Sequence, residues 1–225
     1  MSLPEYIDHR ITIMRKTIGH CFEVYEDFKP QMTKVLGLKN ERDYDFIIDS
    51  LYLLEDTQLA KHDYELHGAI IGDYSESKVG EAYLRTYGVF NACYLQQQAL
   101  IMMHNKLSLT LDVKPVEGML IFEYRTYYAS HTVNTDYGEN RRSYILDRYE
   151  LMQGRVKGYS SNHADGMHFV DANISELINE WDLTLYRLLG AVRDKILKVL
   201  DGQKDEYGYI AQIAKYVDVD DYIQE

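Results

Sequence analysis

The chain has 225 residues, of which 46% are hydrophobic, and its formal net charge is −12. This length allows one substantial core, and the apolar fraction excludes a largely disordered chain. The acidic charge argues against broad, salt-driven binding of nucleic acid. No apolar run approaches the roughly 18 residues of a membrane span, and the N-terminus lacks the apolar core of a signal peptide. We therefore expect a cytoplasmic protein with no membrane segment.

Apolar residues at helical spacing predict two helices in the N-terminal part of the chain, over 4–29 and 41–62. The stripe of the first helix steps alternately by four and three residues, through Ile7, Ile11, Met14, Ile18, Cys21, Tyr25 and Phe28. Pro30 should end this helix, because proline lacks the N–H of a helix interior. A short turn that ends at Gly37 should follow, and Asn40 should cap the second helix.

The third helix is predicted over 77–107, with a seam of tyrosines and other large side chains. Before it, His62 and His67 are expected in a loop or on the surface, because a separation of five is poor helical spacing for two ligands of one metal. Cys21 and Cys93 lie on apolar faces and form no CxxC motif, so we expect buried free thiols.

A fourth helix should begin at Pro115 and run to about residue 130. The alternating, turn-rich stretch that follows predicts a small β-hairpin or meander near 143–171. Two histidines and an aspartate in this stretch are interpreted as a polar turn rather than a metal site (His163, Asp165 and His168). Asn173 with Glu176 should form the capping box of the last long helix, 174–201.

These elements predict a mainly α-helical chain, all-α apart from the β-insert. We expect an up-and-down bundle of about five helices in a single domain over 1–225. No internal repeat or interdomain linker interrupts it. The acidic tail, 203–225, should be loosely held.

The segment from Glu123 to His131 holds the most suggestive pair of side chains, Arg125 and His131. An arginine can hold a phosphate through a planar fork of donors, and a histidine can transfer a proton near neutral pH. On one helix, however, a separation of six directs the two side chains about 120° apart and about 9 Å along the axis. The pair can share a ligand if the helix ends early, if the arginine stem bends, or if a second copy supplies half of the site.

The charge around this segment differs from that of the rest of the chain. The window 121–157 holds six basic and five acidic side chains, and five of the chain's eleven arginines. Seven of the 21 tyrosines lie within 124–159. The arginines make this region the place where an anionic ligand is expected. Because protein interfaces are enriched in Tyr and Arg, the same region is also expected to form a homodimer contact.

The stretch YGVFNACYLQQQALIMMHNKL, followed by a helix with Arg125, five residues and His131, resembles the HEPN superfamily of helical-bundle proteins. The resemblance covers about 80–200, most firmly 83–131. Thr126 follows the arginine where active members often carry Asn or Asp. Val133 stands where some toxin members carry a tyrosine.

The resemblance implies a helical core, commonly dimeric, in which two Arg–His pairs meet at the interface. It implies a metal-independent ribonuclease of a defence or toxin–antitoxin system, with Arg125 and His131 as catalytic residues and no cofactor. The alternative is a non-catalytic HEPN-like module that binds a nucleotide or a protein partner. Thr126 and the acidic charge favour this alternative, whereas the arginines of 121–157 favour the nuclease.

Overall fold

The structure is a computed structural model, and it describes residues 2–127, 144–163, 166–201 and 209–220. This part of the chain is mainly α-helical with a small antiparallel sheet, which confirms the predicted class of fold. The helices are α1 (Leu3–Val24), α2 (Phe28–Leu36), α3 (Glu41–His67), α4 (Val79–Lys106), α5 (Val113–Glu117), α6 (Leu120–Arg125), α7 (Arg148–Met152), α8 (Ile174–Leu197) and α9 (Tyr209–Asp220). Short 3₁₀ turns cover Glu76–Lys78 and Lys198–Leu200.

The chain divides into two compact units. Unit 1 consists of Met1–Asp56, Gln96–Val113 and Asp182–Glu225, and unit 2 consists of Thr57–Leu95 and Lys114–Trp181. The four divisions fall within α3, α4, α5 and α8, so each unit is made of segments that are not contiguous in sequence. The expected single domain stays a prediction.

In unit 1, α1 buries the part of the predicted stripe that it contains, from Ile7 to Cys21, and contacts both α2 and α9. Tyr25 and Phe28 lie beyond its end and are only half-buried. A buried arginine joins it to α8, because Arg10 donates to the carbonyl of Tyr186 and its guanidinium lies 3.4 Å from the centre of the Tyr186 ring. Asn40 accepts a hydrogen bond from the backbone N–H of Asp43 at 3.2 Å, as its predicted capping role requires. Cys21 is buried and is not part of a disulfide, as predicted.

The prediction of one helix over 4–29 was wrong at its C-terminal end. The helix ends at Val24, and Tyr25 adopts an extended conformation with ψ 123°. A new helix begins at Phe28, and Pro30 lies in its first turn. The N–H groups of a first turn have no partner within the helix, so a proline there costs little helix stability. Pro30 therefore belongs to the start of α2 and does not end α1. Gly37 ends this helix in the left-handed conformation, φ 70°, as predicted.

In unit 2, three strands form a sheet of order β1-β2-β3, with antiparallel neighbours. The strands are β1 (Ile145–Leu146), β2 (Arg155–His163) and β3 (Gly166–Asn173). One face of this sheet is buried through Leu146, Val156 and Val170. A small β-insert was therefore predicted correctly. Its expected end at residue 171 lies two residues before the observed end of β3 at Asn173.

Two predictions in unit 2 need correction. Of the helix expected over 115–130, residues 128–130 lie outside the described residues. The described part forms two short helices, because Gly118 is a poor helix former and Met119 is extended, with ψ 141°. At the start of the β-insert expected near 143–171, the described residues form only a two-residue strand before α7. The chain changes from strand to helix at Asp147, which caps α7. The carboxylate of Asp147 accepts hydrogen bonds from the N–H groups of Tyr149 and Glu150 at 2.9 and 3.2 Å.

The last long helix begins as predicted. The side chain of Asn173 accepts from the N–H groups of Ser175 and Glu176 at 2.9 and 3.4 Å. The helix ends at Leu197, and a 3₁₀ turn continues to Leu200, close to the expected end near residue 201.

Candidate functional site

The predicted site centres on Arg125, which is the last residue of α6 and belongs to unit 2. One face of this short helix is buried, through Ile121, Phe122 and Tyr124, and the ring of Phe122 packs edge-on against Trp181 with the ring centres 5.0 Å apart. Because six residues give little helical stability on their own, this packing is what holds the backbone of Arg125 in place.

Two residues of α4 hold the Arg125 side chain, which is half-buried. Its Nε donates to Oδ1 of Asn91 at 3.0 Å, and its guanidinium carbon lies 3.8 Å from the centre of the Tyr94 ring. Nδ2 of Asn91 donates to the carbonyl of Tyr87 at 2.8 Å, so the amide that receives Arg125 is itself oriented. The plane of the guanidinium is thereby set by one hydrogen bond and one cation–π contact.

Arg125 keeps its charge uncompensated within the described part of the chain, where no carboxylate forms an ion pair with it. Other arginines behave differently. Arg155 pairs with Asp171 at 2.7 Å, which raises the pKa of the guanidinium, and Arg193 pairs with Asp194 at 2.8 Å. The amide of Asn91 and the ring of Tyr94 carry no negative charge, so the Arg125 guanidinium can still attract an anion. An arginine that is already in an ion pair with a carboxylate attracts an anion much less.

Tyrosines lie beside Arg125. Tyr127 stacks on Tyr144 with ring centres 4.3 Å apart, and its hydroxyl donates to the carboxylate of Glu123. Burial, and next the hydrogen bond to Glu123, raise the pKa of Tyr127, and burial also raises the pKa of Tyr124. Both side chains therefore stay neutral at physiological pH and can serve as donors or stacking surfaces, but not as phenolate bases.

The second predicted residue, His131, lies outside the described residues. The part of the chain just before it is helical to Arg125, and the Thr126 hydroxyl then donates to the carbonyl of Phe122 at 2.9 Å. The Arg125–His131 pair therefore stays a prediction.

Asn91 and Tyr144 were missed by reasoning from the sequence. A signal for Asn91 was available, since it is a polar residue one turn after Tyr87 and three residues before Tyr94 on a tyrosine-rich helix. Its partner lies 34 positions further along the chain, which spacing alone cannot reveal.

The remaining histidines do not form a metal site in the described residues. His62 and His67 lie in the last turns of α3, not in a loop, because the helix continues to His67 and is followed by Gly68 at φ 70°. His62 is 3.6 Å from Glu65, and His67 is 3.8 Å from Asp63. Within the described ranges, no group of three or more His, Cys, Asp or Glu side chains could hold a metal ion. The polar turn around Asp165 lies outside those ranges.

The chain matches no known family model, no curated protein and no solved structure. Among the helices of the described part, none combines the length and the apolarity needed to cross a membrane.

Proposed function

We propose that this chain is a HEPN-like, metal-independent ribonuclease in which Arg125 binds a phosphate of single-stranded RNA and His131 transfers protons. The observation that carries the proposal is the state of Arg125. Its guanidinium is oriented by Asn91 and Tyr94, while no described carboxylate neutralises it. A fixed, uncompensated cation is the group that stabilises the charge of a phosphoryl transition state.

The chemistry follows from these two groups. The 2′-hydroxyl of the RNA attacks the adjacent phosphorus and loses its proton to a general base, and the 5′-oxygen of the next nucleotide leaves with a proton from a general acid. His131 supplies one of these transfers, since imidazole exchanges protons near neutral pH. Arg125 stabilises the extra negative charge on the phosphoryl oxygens. We propose that the active form is a homodimer, in which two Arg–His pairs share a cleft, and that it acts in the cytoplasm in a defence or toxin–antitoxin system.

A second candidate function is a non-catalytic module that binds a nucleotide or a protein partner through the same arginine. The specific observation in its favour is Thr126. Its hydroxyl is engaged by the carbonyl of Phe122, one turn back on its own helix, where the resemblance would place an Asn or Asp in active members. This candidate shares phosphate binding with the first but has no proton transfer.

The test measures cleavage of labelled single-stranded RNA by the full-length chain and by Arg125→Ala and His131→Ala. Each variant should lose a factor of about 10²–10⁴ in rate while keeping the wild-type circular dichroism. Activity should persist in EDTA. Arg148→Ala is the matched control, because Arg148 is an exposed arginine of the same unit and its loss should leave the rate unchanged.

The outcomes separate the two candidates. RNA or nucleotide binding that depends on Arg125, without cleavage, would select the non-catalytic module. If wild-type protein neither cleaves RNA nor binds RNA or a nucleotide, and Arg125→Ala only lowers the melting temperature, the arginine is structural and both the ribonuclease and the nucleotide-binding module fail.

A further inference from the structure

The first three helices of unit 1 border a pocket, and all of the residues that line it belong to that unit. Its volume is about 270 Å³. Ile18 and Leu51 form its buried side, at 5% and 1% exposure, and it opens to solvent beside Phe22 and Tyr52, at 68% and 51% exposure. An apolar cavity of about 150 Å³ is enough to hold a benzene ring, so this pocket has room for a ligand of two fused rings.

Aromatic rings make up much of the wall of this pocket. Phe28 lies edge-on to Phe22 and to Tyr44, with ring centres 5.2 and 5.3 Å apart. On one continuous helix, positions 22 and 28 would be about 9 Å apart along the axis, so the break between α1 and α2 brings these two rings together. Rings held at fixed angles favour a flat aromatic ligand over a flexible aliphatic one, because ring edges and faces attract each other.

Tyr44 also brings a polar group into this wall. The residue is only 7% exposed, yet its hydroxyl forms no hydrogen bond with any described residue. Buried tyrosine hydroxyls normally have a partner, so this donor points to a ligand atom. Burial, and next the Asp45 carboxylate, raise the pKa of Tyr44, so the hydroxyl stays protonated in surroundings that disfavour negative charge. A neutral acceptor, such as a carbonyl oxygen, suits it better than a carboxylate.

We propose that this pocket binds a small, planar, neutral aromatic molecule that carries a carbonyl oxygen. Its rings pack against the aromatic wall, and its oxygen accepts a hydrogen bond from the Tyr44 hydroxyl. Arg15, which lines the pocket with its guanidinium carbon 4.6 Å from the centre of the Tyr52 ring, supplies further donors. Of its nitrogens, only Nη1 has a described hydrogen-bond partner, the Glu55 carboxylate. The inference is independent of the chemistry proposed at Arg125, which belongs to unit 2.

The experiment titrates the full-length chain with coumarin, a neutral molecule of two fused rings with a carbonyl oxygen, and follows binding by NMR. A ligand of this size should bind with a dissociation constant on the order of 0.1–1 mM. Indole keeps the aromatic rings without the oxygen, and cyclohexanone keeps the oxygen without the aromatic ring. Naphthoate replaces the neutral oxygen by a carboxylate. Each of these three probes should bind more weakly than coumarin by a factor of about 5 or more.

Two variants and a control locate the ligand. Tyr44→Phe removes the donor and keeps the ring, so it should weaken coumarin binding by roughly 5- to 10-fold and leave indole binding unchanged. Ile48 lines the pocket and is half-buried, so Ile48→Trp should fill the pocket and abolish the binding of both probes. Val35→Trp is the matched control, because Val35 is 43% exposed on α2 and does not line the pocket. Circular dichroism and the melting temperature verify that each variant is folded.

The outcomes decide the location and the chemistry separately. Coumarin binding that is lost in Ile48→Trp and kept in Val35→Trp supports the pocket. Absence of coumarin binding up to its solubility limit, or binding that survives Ile48→Trp, overturns the inference. If Tyr44→Phe binds coumarin as wild type does, or if naphthoate or cyclohexanone binds more tightly than coumarin, the assigned class of ligand is wrong.

Discussion

The substitution Asn91→Asp tests directly whether the charge of Arg125 is used. The side-chain oxygen that now accepts from Nε of Arg125 at 3.0 Å would become part of a carboxylate, so the guanidinium would be neutralised in place. Shape and side-chain volume barely change. A functional arginine and a structural one respond in opposite ways, which makes this substitution more informative than removal of the arginine.

The expected effect on stability is small because two contributions oppose each other. Placing a negative charge on the acceptor that receives the guanidinium N–H stabilises by about 1 kcal/mol. The amide donor that contacts the Tyr87 carbonyl at 2.8 Å is lost, and a carboxylate oxygen then faces that carbonyl, which costs about as much. The free energy of unfolding should therefore stay within about 1 kcal/mol of wild type.

The expected effect on phosphate binding is large. A phosphate on the open side of the guanidinium would lie roughly 6 Å from the new carboxylate, where two unit charges repel by up to about 3 kcal/mol at an effective dielectric constant near 20. Screening by solvent at this half-buried position reduces the repulsion to about 1.5–2.5 kcal/mol. The affinity for single-stranded RNA should fall by roughly 10- to 100-fold.

Fluorescence anisotropy with labelled single-stranded RNA measures this loss, and thermal unfolding measures the stability. Asn91→Ala removes the same hydrogen bonds without adding charge and should lose much less affinity than Asn91→Asp. Asn179→Asp adds the same charge at an exposed position of α8 and should leave RNA affinity unchanged. Equal affinity for Asn91→Asp and wild type, or an equal loss in Asn179→Asp, would refute a direct role for the Arg125 charge.

Further predictions concern the helices and one buried histidine. Gly88→Ala should raise the melting temperature by roughly 2–4 °C, because an added Cβ in the interior of α4 meets nothing within 4 Å and alanine is a better helix former by about 1 kcal/mol. Gly190→Ala should gain nothing or destabilise, since its Cβ would lie 2.9 Å from a guanidinium nitrogen of buried Arg10; an equal gain in both variants would contradict this packing. Burial lowers the pKa of His104, so the unfolded chain binds its proton first and stability should decline as the pH falls below about 6.5. Unfolding at pH 7.5 and 5.5 should show a smaller decline for His104→Gln than for the surface control His62→Gln.

The elements that could be predicted from the sequence were those determined by local chemistry and long periodicity. Asn40 and Asn173 cap their helices as expected, because a short polar side chain before an apolar stripe has few other structural uses. The long helices α3, α4 and α8 are predicted to within a few residues, except that α3 runs to His67 and not to residue 62. The left-handed conformation of Gly68, φ 70°, ends the helix there.

The errors arose where a local signal had two readings. Pro30 ends a helix or belongs to the first turn of the next one, and only the extended backbone at Tyr25 decides between them. Asp147 interrupts a β-type run by capping a helical turn, which outweighs the strand preference of its neighbours. The residues around Arg125 were out of reach for a different reason, since the contacts with Asn91 and Tyr94 join elements that the sequence does not relate.

Another arginine of unit 2 shows how this fold uses a guanidinium for structure alone. Arg85 donates from Nε to the carbonyl of Gly68 at 2.8 Å and from a terminal nitrogen to the carbonyl of Asp63 at 2.9 Å. It also pairs with the Asp63 carboxylate at 2.8 Å. Its charge and its donors thus stabilise the C-terminal end of α3, where cations are favoured.

Arg125 is held by one amide oxygen and one ring, with no described carboxylate, so its terminal nitrogens are not committed to any described partner. Stability alone would favour the arrangement of Arg85, and the difference is the physical reason to look for an anionic ligand at Arg125.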